Sequence, residues 1–444
     1  MDDPGARPRA DQHGSASRDC AEAAWAWVLA QVRWDDGPWV PESVPADGAT
    51  TDPATPALRD DVYQGIAGIG LALAEVRLTR GWTDDERSLA DEIVTRLRRA
   101  DLGGDGGLYT GLAGSLTVIE LLGGGWDDGV LARLDDLATP RGWPFPEFDG
   151  EPVNDVLMGN AGIVMALLRV GSADADRLAL LGAEALVATA RPTDAGLEWK
   201  MYEGDRDRFM PNYSHGTAGI AAALAVAGLT LDRPDLVEAA SLGAEHVVSI
   251  ADISHEGFRA PLQIPAAEGY ADVSYGWCHG PTGTANLFGA LDLAGVNRIG
   301  GRTTTEWRAA AIRTLAASGV PERRHDGFWD NDGRCCGTAG VLVAVLDHVQ
   351  ATGEPQHLAL ADRLAAALVE RSLPAAGEPD QRCWRFYEHR VQPPDLDPGV
   401  GWMQGAAGIA AALFRHARVR DTGLDAARLS FPDSWWMVRG TAAG

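Results

Sequence analysis

Seven times along the chain, a Gly-x-x-Gly element opens a run of residues that are apolar or small on nearly every side. The segments read VYQGIAGIGLALAEV, LYTGLAGSLTVIELL, VLMGNAGIVMALLRV, YSHGTAGIAAALAVA, WCHGPTGTANLFGAL, RCCGTAGVLVAVLDH and WMQGAAGIAAALFRH. Their first glycines are Gly65, Gly111, Gly159, Gly216, Gly280, Gly337 and Gly405, spaced from 46 residues (Gly65 to Gly111) to 68 (Gly337 to Gly405). That spacing holds two helices and their connections. A helix that is apolar all round belongs in the interior of a large protein. Between the repeats lie ordinary amphipathic patterns, such as Asp84–Ala100 and Thr304–Gly319, with charges on one side and Leu, Ile, Val and Ala on the other. The predicted architecture is an all-α, double-layered α/α toroid of seven helical-hairpin repeats. Closure is preferred to an open solenoid, whose concave face would expose the apolar inner helices. No strands are required, although the stretch Trp199–Met210 has room for a local hairpin.

Outside the repeats, residues 1–18 are rich in Asp, Arg, Pro, Gly and Ser and are expected to form a disordered tail. A helical pattern follows over Cys20–Trp34, and a Pro/Asp-rich connection then leads into the first repeat. Residues 19–444 are read as one toroid domain. Hydrophobic residues make up 45% of the 444-residue chain and charged residues 23%, ordinary for a globular protein. The net charge of −25 opposes general binding to nucleic acid or anionic membranes and suits a cationic peptide partner. No basic-then-apolar leader or membrane-length apolar run is present, so a reducing cytoplasm is the expected compartment. Five cysteines are too few and too unevenly placed for a disulfide framework, which directs attention to metal or redox chemistry.

The residues just before each Gly-x-x-Gly should lie at the same end of the inner helices and converge on a common centre. Four repeats carry unreactive pairs or residues there: Tyr63-Gln64, Tyr109-Thr110, Met158 and Met403-Gln404. The other three carry Ser214-His215, Trp277-Cys278-His279 and Cys335-Cys336. Cys278, Cys335 and Cys336 supply three legs of a tetrahedral zinc site with its fourth position open, the pattern of catalytic rather than structural zinc. His279 is the alternative fourth leg. Adjacent residues on a helix project about 100° apart, so Cys335 and Cys336 can share one metal only if they sit in the turn before the helix. His215 occupies the position equivalent to the cysteines and suits proton transfer near neutrality. Asp155, four residues before Gly159, is either a turn cap or the group that orients a histidine. His325, Asp326, Asp330 and Asp332 read as turn chemistry in a Gly-rich loop; Cys20 and Cys383 read as packing.

Taken together, the seven repeats with SHGTAG, WCHGPTG and CCGTAG resemble the lanthionine synthetase C-like (LanC-like) cyclases, from about Tyr63 to Phe414. The resemblance implies an α/α toroid whose central Zn2+ binds a substrate cysteine thiolate. That thiolate adds to a dehydroalanine or dehydrobutyrine of the same peptide, giving a lanthionine or methyllanthionine ring. Mapped by motif, the ligands are Cys278, Cys335 and Cys336, while His215 and Asp155 match the catalytic acid/base positions. Two departures stand out. Many stand-alone members have Cys-His-Gly where this chain has Cys335-Cys336-Gly337, and the WCHG form around His279 is similar to that of eukaryotic, non-lantibiotic relatives. The chain has no room for the dehydratase domain of bifunctional relatives, so the dehydrated precursor peptide would come from a separate dehydratase. Addition of a small thiol such as glutathione and a zinc-stabilised scaffold are the alternative functions. An α/α-toroid glycosidase would need paired central carboxylates, which no repeat junction supplies.

Overall fold

The computed structural model describes residues 9–45, 51–53, 55–204, 208–266, 273–322, 331–388 and 392–434. Seven inner helices follow the glycine elements: α2 (Ile66–Thr79), α4 (Leu112–Leu121), α6 (Asn160–Val170), α8 (Thr217–Thr230), α10 (Pro281–Leu293), α12 (Thr338–Thr352) and α14 (Ala406–Thr422). Each packs on the next, and α14 returns to α2, so the ring is closed. The outer layer consists of α1 (Arg9–Ala30), α3 (Asp84–Leu97), α5 (Asp128–Leu137), α7 (Ala173–Ala188), α9 (Pro234–Ile250), α11 (Thr304–Ala317) and α13 (Leu358–Arg371). Six of these pack against the inner helix that precedes them. The seventh, α1, is the outer partner of α14. Among the described residues, no helix is long and apolar enough to cross a membrane.

The α1 helix corrects the expected N-terminal tail. It begins at Arg9 rather than near Cys20, and it ends at Ala30 rather than Trp34. Tertiary contacts hold this polar stretch. Ser17 bonds the buried His416 at 2.9 Å, and Arg18 pairs with Asp421. Residues 1–8 of the expected tail lie outside the described residues. The strands were also unforeseen. Among the described residues, four two-stranded antiparallel pairs decorate the ring: β1–β2 (Arg191–Thr193, Gly196–Glu198), β3–β4 (Arg298–Ile299, Arg302–Thr303), β5–β6 (Leu373–Ala375, Glu378–Cys383) and β7–β8 (Phe386–Tyr387, Asp395–Leu396). The first lies just upstream of the Trp199–Met210 stretch.

Inner helices start with the same local chemistry. The first glycine of each element is the N-cap in extended conformation, and the second sits one turn into the helix under the carbonyl of the residue six earlier. A Cβ on Gly283, for example, would collide with the Trp277 carbonyl oxygen. The preceding loop therefore folds flat over the helix start. Four outer helices, α3, α5, α7 and α11, begin with side-chain caps instead, including the capping boxes Thr83/Glu86 of α3 and Thr303/Glu306 of α11, each worth about 1 kcal/mol.

The flattened loops are joined edge to edge by backbone hydrogen bonds. Tyr63 N–H donates to Tyr109, Tyr109 to Leu157, Val156 to Ser214, Ser214 to Cys278, Cys278 to Cys335, Cys335 to Met403, and Met403 back to Tyr63, at 2.8–3.2 Å. These bonds form a closed belt around one end of the ring. The buried charged side chains include three on α14: Arg415, His416 and Arg418. Arg418 pairs with Glu75 of α2, Arg415 with Asp347 of α12, and His416 reaches Ser17 of α1. The seam that closes the ring is therefore charged, because α14 must be joined to three helices at once.

Candidate active site

Belt geometry sets where the reactive side chains stand. Cys278 and Cys335 are neighbouring links of the belt, and Cys336 follows in the turn before α12. Because the two adjacent cysteines lie in a turn, both sulfurs reach the same point. The Sγ atoms of Cys336 and Cys335 are 3.5 Å apart, and those of Cys278 and Cys336 are 3.2 Å apart. Gly276 makes the approach possible, since a Cβ there would lie 2.7 Å from the Cys336 Cα. All three sulfurs are buried, within 4.8 Å of one another, and none is in a disulfide. A tetrahedral zinc with Zn–S bonds of about 2.3 Å needs sulfurs about 3.8 Å apart. This donor set fits such an ion with only small adjustments.

The three thiols share their protons unequally. S–H donation from Cys278 and Cys336 holds the Cys335 thiol well below its ordinary range, against the effect of burial. The hydrogen bond to Cys335, together with burial, pushes Cys278 up, and hydrogen bonds to Cys278 and Cys335, together with burial, push Cys336 up. Tyr63, read from the sequence as unreactive, donates its hydroxyl to the Cys335 sulfur, and burial beside the thiols pushes its own pKa up. No motif marks this tyrosine. It reaches the site because Tyr63 and Met403 are neighbours in the belt, and Met403 neighbours Cys335.

On the other side of Cys278 stands a second pair. Asp155 is fully buried, and its Oδ2 lies 2.6 Å from His215 Nδ1. Its Oδ1 accepts the Met158 N–H at 2.9 Å. Asp155 is thus both the turn cap and the partner of a histidine, two roles that the sequence left as alternatives. With Nδ1–H committed to Asp155, Nε2 is the nitrogen of His215 left for chemistry. The ring of His279 lies 5.4 Å from that of His215, and His279 is not part of the ligating trio. Asp332 pairs with Arg371 at 3.0 Å, while His325, Asp326 and Asp330 lie outside the described residues. Cys20 and Cys383 are buried away from this cluster.

Below the belt, aromatic side chains line the ring centre. Trp277 packs against Tyr109 and Tyr213 at centroid distances of 5.4 and 5.7 Å, and Phe431 closes on Tyr109. Asp433 accepts the Tyr109 hydroxyl at 2.7 Å, and its carboxyl is pushed up to about 6 by burial. Arg334, next to Cys335, turns into this floor and stacks over Trp402 at 4.2 Å.

The lanthionine synthetase C-like protein family matches residues 56–421. Among solved structures, nisin cyclase superposes with a TM-score of 0.55 at 18% identity, over 80% of this chain and 88% of its own, a likeness of fold. Cellobiose 2-epimerase from Spirochaeta thermophila gives 0.49 at 15% identity, over 95% of this chain and 99% of its own. An unsaturated glucuronyl hydrolase specific for heparin gives 0.46 at 11% identity, over 93% and 99%. A search of curated protein sequences finds no match. The match across the repeats, on a closed helical ring, places the chain in the lanthionine synthetase C-like family.

Proposed function

We propose that this protein is a zinc-dependent peptide cyclase that joins a cysteine thiol to a dehydroalanine or dehydrobutyrine of the same peptide. The observation that carries the reading is the convergence, at one end of the ring, of the cysteine trio and the Asp155–His215 pair. Cys278, Cys335 and Cys336 would hold the ion through sulfur, leaving one tetrahedral position for the substrate. Bound there, zinc would lower the pKa of an incoming thiol so that it exists as thiolate at neutral pH.

The remaining steps belong to this chain's side chains. The substrate sulfur bonds to the β-carbon, the electron pair of the double bond moves to the α-carbon, and that carbon takes a proton. His215 donates it from Nε2, and Asp155 fixes the tautomer and stabilises the imidazolium that precedes donation. Tyr63 keeps its hydrogen bond to Cys335 and so fixes that sulfur's lone pairs. The aromatic floor of Tyr109, Tyr213 and Trp277 seals the site from the far end of the ring. The net change is addition of S–H across the double bond, with no atom lost. A separate dehydratase would supply the dehydrated precursor peptide.

A peptide carrying one dehydroalanine and one cysteine tests the reading. Ring closure leaves its mass unchanged and removes its reactivity toward an alkylating agent. Gain of mass with added glutathione, the cysteine staying alkylatable, would replace this reading with small-thiol addition. A peptide that keeps both its mass and its free thiol would remove the catalytic reading.

A further inference from the structure

A second cluster of metal-type ligands lies away from the cysteine centre, where α12 ends and the chain turns toward α13. Gly353 closes α12 in left-handed conformation (φ 69°) and reverses the chain. Glu354 and His357 are thereby carried back over His348 in the last turns of α12. The Nε2 atom of His348 lies 3.7 Å from a Glu354 carboxylate oxygen, and that of His357 lies 3.2 Å from the same oxygen. All three ligand atoms fall within 4.8 Å of one another. Zn–N and Zn–O bonds of about 2.1 Å require ligand atoms about 3.4 Å apart in a tetrahedron, close to both of these separations. The two imidazoles meet edge to face at 5.0 Å and 73°, so they do not stack against each other.

His348 carries the argument furthest. Its side chain is only 4% exposed, and neither ring nitrogen has a hydrogen-bond partner among the described residues. Leaving a buried polar group unsatisfied costs about 1–3 kcal/mol, and a metal would satisfy it. Glu354 and His357 are partly exposed and leave a path for an ion to enter.

We propose that His348, Glu354 and His357 form a second divalent-metal site, for a borderline ion such as Zn2+ or Co2+. Two imidazoles and one carboxylate suit that class of ion. The ion clamps the turn between α12 and α13 and holds one outer helix to its inner partner.

Cobalt separates the two centres by spectrum. Thiolate ligation gives strong sulfur-to-cobalt charge-transfer absorption, whereas a His/Glu site gives only weak ligand-field bands. Wild-type protein titrated with Co2+ is expected to take up a further equivalent without added charge transfer. His357→Ala and Glu354→Gln, both at partly exposed positions, should lose that equivalent and keep the charge-transfer band unchanged. If the cysteine centre takes no cobalt, the band is absent, yet uptake sensitive to His357→Ala still supports the second site. Wild-type uptake that ends when the band saturates would overturn the proposal, as would a further equivalent that persists in both variants.

Discussion

Asp61 and Asp155 occupy the same place in two different repeats, four residues before Gly65 and Gly159. Each caps the turn that flattens its loop: Asp61 Oδ1 accepts the N–H groups of Gln64 and Gly65, and Asp155 Oδ1 accepts that of Met158. They differ in what the next repeat presents. Beside Asp155 the neighbouring loop supplies His215, whereas Asp61 has no such partner among its bonds, and burial pushes its carboxyl up to about 8. One fold position caps its turn alone in the first case and also holds a histidine in the second. The same contrast divides the whole belt. Its backbone bonds and glycine contacts repeat around the ring, while the reactive side chains cluster on the consecutive loops of His215, Cys278 and Cys335-Cys336. The scaffold is periodic and the chemistry is not.

The widest test of this contrast is Cys278→Ala. It should abolish both stoichiometric zinc and cyclisation without melting the belt, because the belt bonds of residue 278 are made by its backbone. Metal analysis and circular dichroism check the two halves of that statement. Retained zinc would return the cysteines to a packing role.

Next comes the pair of aspartates. Asp155→Asn should lower turnover by about 100-fold, the usual scale of general acid–base catalysis, at unchanged zinc content. Asp61→Asn should leave turnover alone. Equal losses in the two variants would mean that both residues act only as turn caps.

Cys336→His replaces one thiolate with a neutral ligand where many relatives have histidine. With zinc bound, three thiolates would give the site a formal charge of −1 before substrate binds, and this excess charge would keep the substrate sulfur nucleophilic. The variant should keep its zinc and turn over more slowly, by about tenfold or less on the scale of a ligand-tuning change. Turnover equal to or faster than wild type would contradict the electrostatic argument.

The effect furthest from the chemistry is on stability. Asp61 binds a proton in the folded protein up to about pH 8 and releases it near pH 3.9 when unfolded. Between those values the native state holds more protons than the unfolded state, so this residue's contribution to stability falls as pH rises. The slope is up to about 1.4 kcal/mol per pH unit. Denaturant melts of wild type and Asp61→Asn across that window should diverge accordingly. Parallel curves would show that Asp61 stays ionised.

The repeats were legible because each inner helix start needs two glycines for a backbone collision to be avoided, a requirement that leaves a mark at fixed spacing. The same register brought out Cys278, Cys335, Cys336, His215 and Asp155. Tyr63 was not legible, since its tie to Cys335 arises from the closure of the first repeat on the last. The helix at residues 9–18 escaped for a related reason. Its polar side chains are ordered by bonds such as Ser17–His416, 399 positions apart, and local patterning carries no trace of such pairing. The short hairpins that cap the outer connections have too few residues to show a period.

That N-terminal helix has a consequence for how the molecule is made. Because α1 is the outer partner of α14, α1 leaves the ribosome long before the helix against which it buries its apolar face. Until then α1 is a loose amphipathic segment, and six repeats form an incomplete arc without their latch. Contacts of such long sequence separation form late and slowly. A nascent or truncated chain lacking either end therefore exposes the same seam, and damage to the two extremes of the sequence should appear as one defect.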